Sequence, residues 1–448
     1  MAKVEGVVLT KVNFPLYTIQ MVTSHHVLVG GGGGSAKTGV ANGFELFELS
    51  HDGKQFYVED KVRHDTGDNV VMNCDVHSNG KNIYVVAGQE NSNQLYKITA
   101  EFTQMNGVVK SKEINNTADT IVRKRKEKDK ENAKQKGGKK EKLNEKGKNK
   151  KDKIEDPPIL NSIDSKEKNL RFGFKTFDSV QTVFAGSESL QRVVRLSRNG
   201  DLMVTGGTDG HLRLWSFPKM KPLLHIEAHS KEIDDVDFSI SGEQIVSIAK
   251  DGKAFVWNSK NGSLSKELKW NTPDNIKYLF KRCRYGLVED SPKRSRLFTL
   301  ANPLVQNKRG ISYVQQWDVD SGQLRLAREM KESLSALAVR DDGRFVAVGT
   351  MFTGSVFVYI AFSLQPLLHV PSAHNMFITG LEFVPALPKA FDSTVTSVCE
   401  ASVLSISVDN KVCLHSVPHR CTISVSFALL LVFVVVLLTF ALLTFLGL

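Results

Sequence analysis

The chain has 448 residues, a formal net charge of +11 and 41% hydrophobic residues. That length exceeds an ordinary single domain but suits one large repeat-built β domain with appendages. The charge is local: between Lys110 and Lys153 there are 18 Lys and Arg against 8 Asp and Glu, which leaves 41 against 40 elsewhere and excludes a basic face spread over the fold.

The first residues, MAKVEGVVLTKV, carry Glu5 and Lys11 within their apolar stretch, so they lack the core of a cleaved signal peptide and read as a β-strand. A hairpin over Val27 to Leu49 follows, interrupted by Gly30 to Gly34, Ser35, Ala36, Lys37, Thr38, Gly39, Val40, Ala41, Asn42 and Gly43. Five consecutive glycines cost backbone entropy, which implies a conformation or a close approach that side chains would forbid. Gly31 with Lys37 and Thr38 nearly matches a phosphate-binding loop. The glycine required before the lysine is replaced by Ala36, and a strand follows where a helix N-terminus is needed, so nucleotide binding is set aside.

One grammar then recurs: an alternating apolar strand, an Asn-Gly or Asp-Gly turn, a second strand, another turn, and a third strand ending near an aromatic residue. Copies lie at Val70 to Ile98, Val193 to Trp215, Ile233 to Trp257, Leu297 to Trp317, Leu334 to Tyr359 and Ile378 to Val417. With the first hairpin this makes seven units, predicting an all-β, seven-bladed WD-type propeller over residues 1–418. Residues 110–168 break the order. They are Lys-rich with few apolar residues, and are expected as a disordered insertion in the second blade whose partner strand resumes near Phe172 to Phe177. His229, Asp251 and Trp257 are expected to form a structural network rather than a catalytic one. The five cysteines show neither metal-ligand nor disulfide spacing, which fits a reducing compartment.

From Ile423 to Leu448 there is no charged residue, and Arg420 precedes the run, predicting a single C-terminal transmembrane anchor with the propeller on the cytosolic side.

The runs GGGGSAKTGVAN, MNCDVHSNGKNIYVVAGQEN, GGTDGHLRLW and AHSKEIDDVDFS, together with the terminal anchor, resemble the WD-repeat guanine-nucleotide exchange factors of the endoplasmic reticulum, in their animal branch of prolactin regulatory element-binding proteins. The resemblance implies activation of a Sar-type small GTPase at that membrane, with the COPII coat machinery as an indirect partner. It also implies exchange without covalent chemistry. For the loop it implies Gly31 to Asn42 as the exchange element, with Val40 as an apolar tip, Asn42 as a polar brace and Asp75 as an acidic residue beneath. A potassium ion held by Gly31, Gly32, Gly33, Gly34, Asn42 and Asp75, partly through backbone oxygens, is implied as cofactor.

The competing reading is a WD scaffold or a DNA-binding regulator using the basic insertion. That segment has no aromatic residues among its lysines and no accompanying zinc or helix-turn-helix pattern, so specific nucleic-acid binding is not expected.

Overall fold

The structure is a computed structural model that describes residues 6–34, 39–52, 55–80, 82–103, 169–184, 186, 189–273, 276–288, 291–305, 310–386, 399–419 and 425–446. The expected insertion at 110–168, residues 35–38 of the glycine loop, and positions 423–424 and 447–448 of the expected anchor lie outside them.

Each repeat closes into one four-stranded antiparallel sheet, and seven such sheets form among the described residues. The N-terminal strand β1 (Val7–Lys11) is the exception to sequence order. It pairs with β28 (Lys411–Val417) as the outer strand of the last blade, so the first strand closes the ring. Blade 1 holds β2 (Leu16–Met21), β3 (His26–Gly31), β4 (Gly43–His51) and β5 (Phe56–Asp65). Blade 2 holds β6 (Asn73–Ser78), β7 (Ile83–Gln89), β8 (Ser92–Thr103) and β9 (Asn169–Gln181). The pairing of β8 with β9, with Ile98 opposite Phe174, bears out the strand predicted to resume near Phe172. Blades 3 to 7 occupy Gln191–Glu227, Ile233–Glu267, Tyr278–Met330, Leu334–Val370 and Ile378–Val417 in turn.

A single sequence position explains much of the packing. The third strand of each blade places one ring at the same register: Phe47, Tyr96, Trp215, Trp257, Trp317, Tyr359 and His415, opposite Val27, Val85, Met203, Ile245, Leu297, Val346 and Val403. All seven are buried. In blades 1 to 6 the ladder to the outer strand slips at or beside this residue, giving the ring room against the next sheet. The three Trp Nε1–H groups find hydroxyls on the preceding strand: Thr205 at 3.1 Å, Ser247 at 2.8 Å and Thr299 at 2.8 Å. Buried indoles need such partners.

The apolar core accordingly sits in wedges between neighbouring blades, not on the axis. Leu16, Val29, Phe47, Leu404 and Val412, for example, join blade 1 to blade 7. Because alternation sends apolar side chains into the wedges, charged residues of the innermost strands are left to line a central cavity of about 270 Å³, among them Asp75, Arg195, Asp235, Asp237, Arg284 and Glu382. These carboxylates also tie blade to blade. Asp75 Oδ2 accepts from the Leu196 N–H of blade 3 at 2.7 Å, and Asp237 Oδ2 accepts from the Tyr285 N–H of blade 5 at 2.7 Å. Arg284 bonds Asp235 at 2.6 Å.

Glu382 shows the cost of this arrangement. Burial pushes its carboxyl up to about 8, with Arg195 opposing and Asp75 adding to the rise. A carboxyl whose folded value lies above its unfolded value of 4.5 opposes folding increasingly as pH rises from there to about 8. Glu382→Gln is expected to leave stability unchanged at pH 4 and to raise it by roughly 1 kcal/mol at pH 8, discounting the full linkage value for water in the cavity. Urea unfolding at the two pH values checks this.

The His229 expectation is borne out as a structural network. His229 Nδ1 lies 3.0 Å from Asp251 and its Nε2 lies 2.8 Å from Ser247 Oγ, which also accepts from Trp257. Blade 7 repeats it with His374, Asp409, Ser405 and, in place of Trp, His415. These are Ser-His-Asp constellations, but Ser247 and Ser405 are fully buried, so no substrate reaches either hydroxyl.

The chain ends in one helix, α1 (Val425–Phe445), 21 residues with neither an acidic first turn nor a basic last turn. Among the described residues, no helix is long and apolar enough to cross a membrane.

Candidate functional site

The glycine loop leaves blade 1 at the end of β3. The Gly32 N–H donates to Pro15 O at 3.0 Å, so the strand runs hard against the entry to β2. A Cβ on Gly31 would fall 1.9 Å from that same Pro15 oxygen, which only glycine permits. Gly32 turns through φ +145°, and a Cβ there would meet Asn42 Oδ1 at 2.0 Å. The glycines at the root of the loop are therefore required by close approach.

Asn42 closes the loop from the other side. It is buried, its Oδ1 accepts from the Gly34 N–H at 2.9 Å, and its Nδ2 donates to Gly34 O at 3.3 Å and to Gly67 O at 2.9 Å. Its backbone carbonyl accepts from the Thr66 N–H at 3.1 Å. One amide thus latches both ends of the loop together and fastens them to the turn that leads into blade 2. That turn is itself held, since Asp65 Oδ1 accepts from the Gly67 N–H at 2.7 Å.

Of the residues expected at the site, the structure unites Gly31, Gly32, Gly34 and Asn42, and half-buries Gly33 beside them. Val40 is half-buried as well, packed against the core between blades 1 and 7 instead of standing free as a tip. Asp75 is separated from the set. On β6 alternation turns Cys74 toward Thr18 of blade 1, while both Asp75 oxygens are taken by the N–H groups of Val76 and Leu196. Burial raises the Asp75 carboxyl, against the pull of Arg195. The Asp75 carboxylate, which was expected beneath the glycines, lines the central cavity in this structure.

Sequence reasoning missed the turn at Thr66, Gly67 and Asp68 that floors the loop, although an Asp-Thr-Gly-Asp run is a readable turn signal. It also missed the charged cavity. Its signal lay in the inner strands themselves, where Arg192 and Arg195, Asp234, Asp235 and Asp237, and Arg282 and Arg284 recur among apolar residues.

Residues 179–216 and 220–258, essentially blades 3 and 4, match the WD domain, G-beta repeat family. These blades keep Trp at the ring position. Mouse guanine nucleotide-exchange factor SEC12 is 31% identical over 440 residues, covering 96% of this chain and 95% of its own, and the rat protein is similar to the same extent. The chain belongs to the SEC12 family. The match to SEC12-like protein 1 of Arabidopsis thaliana is 28% over 200 residues, 44% of this chain and 47% of that one. Among solved structures, the computationally designed Ika8 protein shares the fold at a TM-score of 0.50 and 14% identity, over 92% of this chain and 99% of its own. SEC12 similarity thus covers nearly the whole chain, 96% of it.

Proposed function

We propose that this chain is a guanine-nucleotide exchange factor for a Sar-type small GTPase, held at the endoplasmic reticulum membrane by its C-terminal helix with the propeller in the cytosol. The observation that carries the reading is the Asn42-latched glycine loop, standing on a propeller whose mouse and rat relatives are named exchange factors. A loop latched before its partner arrives loses little entropy on docking. Exchange then needs only tighter binding to the nucleotide-free GTPase than to the loaded one. Asn42 contributes by holding the loop's shape, and Val40 contributes an apolar side chain beside it. A GTPase activated at the membrane would in turn recruit the COPII coat machinery.

The anchor rests on sequence and length. The uncharged run from Ile423 to Leu448 is long enough, if helical throughout at 1.5 Å per residue, to exceed a hydrocarbon core of roughly 30 Å. Its Leu, Val and Phe side chains, such as Leu429, Phe433 and Leu438, are exposed in the isolated chain.

The decisive measurement is release of a fluorescent guanine nucleotide from a Sar-type GTPase, with and without this protein in detergent. Acceleration is expected, and its absence would sink the reading. Removing residues 421–448 is expected to leave exchange in solution intact while abolishing co-sedimentation with liposomes.

A further inference from the structure

The hairpin between β2 and β3 gathers two imidazoles and a carboxylate at the end of β3 opposite the glycine loop. His26 and Glu48 are direct register partners across β3 and β4, and His25 precedes them in the turn. His25 Nε2 lies 4.0 Å from Glu48 Oε1. One ligand-capable atom from each of His25, His26 and Glu48 lies within 4.8 Å of the others. His26 is only 4% exposed, and its Nε2 is buried without a hydrogen-bond partner. An orphaned buried ring nitrogen is costly unless something satisfies it.

We propose that His25, His26 and Glu48 form a binding site for a divalent metal ion of the zinc class, with one ring nitrogen from each histidine and one carboxylate oxygen as ligands and water in the remaining position. Two imidazoles with one carboxylate is a donor set suited to such an ion. The other ring nitrogens are already oriented: His26 Nδ1 lies 2.8 Å from Thr23 Oγ1, and His25 Nδ1 lies 3.1 Å from Ser24 Oγ. Such outer partners fix the ring that presents its free nitrogen to a metal. Ligands 2.0–2.1 Å from a tetrahedral ion stand about 3.3 Å from one another, so the present spacing closes with side-chain shifts of about 1 Å. His25 and Glu48 are partly exposed, which gives the ion a route in.

Lys61 sets the sign of a second effect. Its Nζ lies 2.5 Å from Glu48 Oε2 and 3.0 Å from Glu59, a positive charge that competes with a dication for one oxygen of Glu48 and leaves Oε1 free. A site built from these residues should therefore bind metal more tightly without Lys61.

The test is calorimetric titration of the metal-stripped full-length protein in detergent with zinc chloride, together with thermal unfolding with and without zinc. One zinc ion per chain and a raised unfolding temperature are expected. His25→Gln and Glu48→Gln, both at partly exposed positions, should each weaken binding at least about tenfold, which is ~1.4 kcal/mol. Lys61→Met should tighten it several-fold. Unchanged affinity in the His25→Gln and Glu48→Gln proteins would overturn the site, as would the absence of stoichiometric zinc binding by the wild type. The readouts do not involve a GTPase, so the site and the exchange function stand or fall separately.

Discussion

Asn42→Ala is expected to lower the exchange rate constant at least about tenfold, equivalent to ~1.4 kcal/mol of lost barrier reduction, in a propeller that still folds. The side chain makes three hydrogen bonds, to both backbone groups of Gly34 and to Gly67 O, and none of these atoms belongs to the ring's apolar wedges. Their loss unlatches the loop without opening the core. Partner binding must then order the loop, and that entropy is subtracted from the docking energy. Asn42→Asp separates shape from charge. It keeps an acceptor for the Gly34 N–H but sets a carboxylate against two carbonyl oxygens, so it should impair exchange as severely.

Gly32→Ala approaches the same latch from its other side, because the new Cβ would lie 2.0 Å from Asn42 Oδ1. If both changes act by opening one latch, the double variant should be little worse than either single one, a non-additivity that independent sites would not show. Nucleotide-release kinetics and thermal unfolding on all four proteins check this. Exchange at the wild-type rate in Asn42→Ala would remove the latch from the mechanism and return the glycines to a strand-packing role.

Blade number and order were legible in the sequence because each unit carries its own period-two alternation and glycine turns, and these local signals need no tertiary knowledge. The ring residue was legible where it is Trp or Tyr. It was hidden at Phe47 and His415, because a phenylalanine in a run such as FELFEL, or a histidine in VCLHS, looks like many others until the register is known. Asn42 was marked as a brace only through the family resemblance, and its side chain does bond Gly34 and Gly67. The direction in which Asp75 faces was not legible. A residue on an inner strand can face the neighbouring wedge, the loops above or the axis, and strand alternation alone does not choose between blades. The turn at Gly67 and the charged cavity left readable signals, in the Asp65 to Asp68 run and in the charged inner strands, whereas the orphaned His26 nitrogen depends on packing that spacing does not carry.

His415→Phe is expected to make the protein markedly less sensitive to acid. His415 occupies the ring position of blade 7 and is fully buried, with Ser405 Oγ 2.7 Å from its Nε2 and no partner at Nδ1. Burial, with the neighbouring His374, holds it down to about 3, against 6.5 in the unfolded chain. A histidine whose folded value is depressed favours folding fully above 6.5, and that contribution is lost as pH falls from 6.5 toward about 3, at about 1.4 kcal/mol per pH unit. At pH 5 the wild type should therefore have lost about 2 kcal/mol through this residue alone, with His26, held down to about 4 chiefly by burial, losing stability over an overlapping window. Phenylalanine is the ring that blade 1 already uses at this register, and Ser405 keeps its bond to His374 Nε2 at 2.7 Å. The substitution removes one proton-uptake site and one unpartnered nitrogen. Stability at pH 7.5 should change by less than about 1 kcal/mol. Between pH 6.5 and 4 the slope of unfolding free energy against pH should fall by the equivalent of one proton. Denaturant unfolding across that range measures the slope, and an unchanged slope would mean that His415 is already charged in the folded ring.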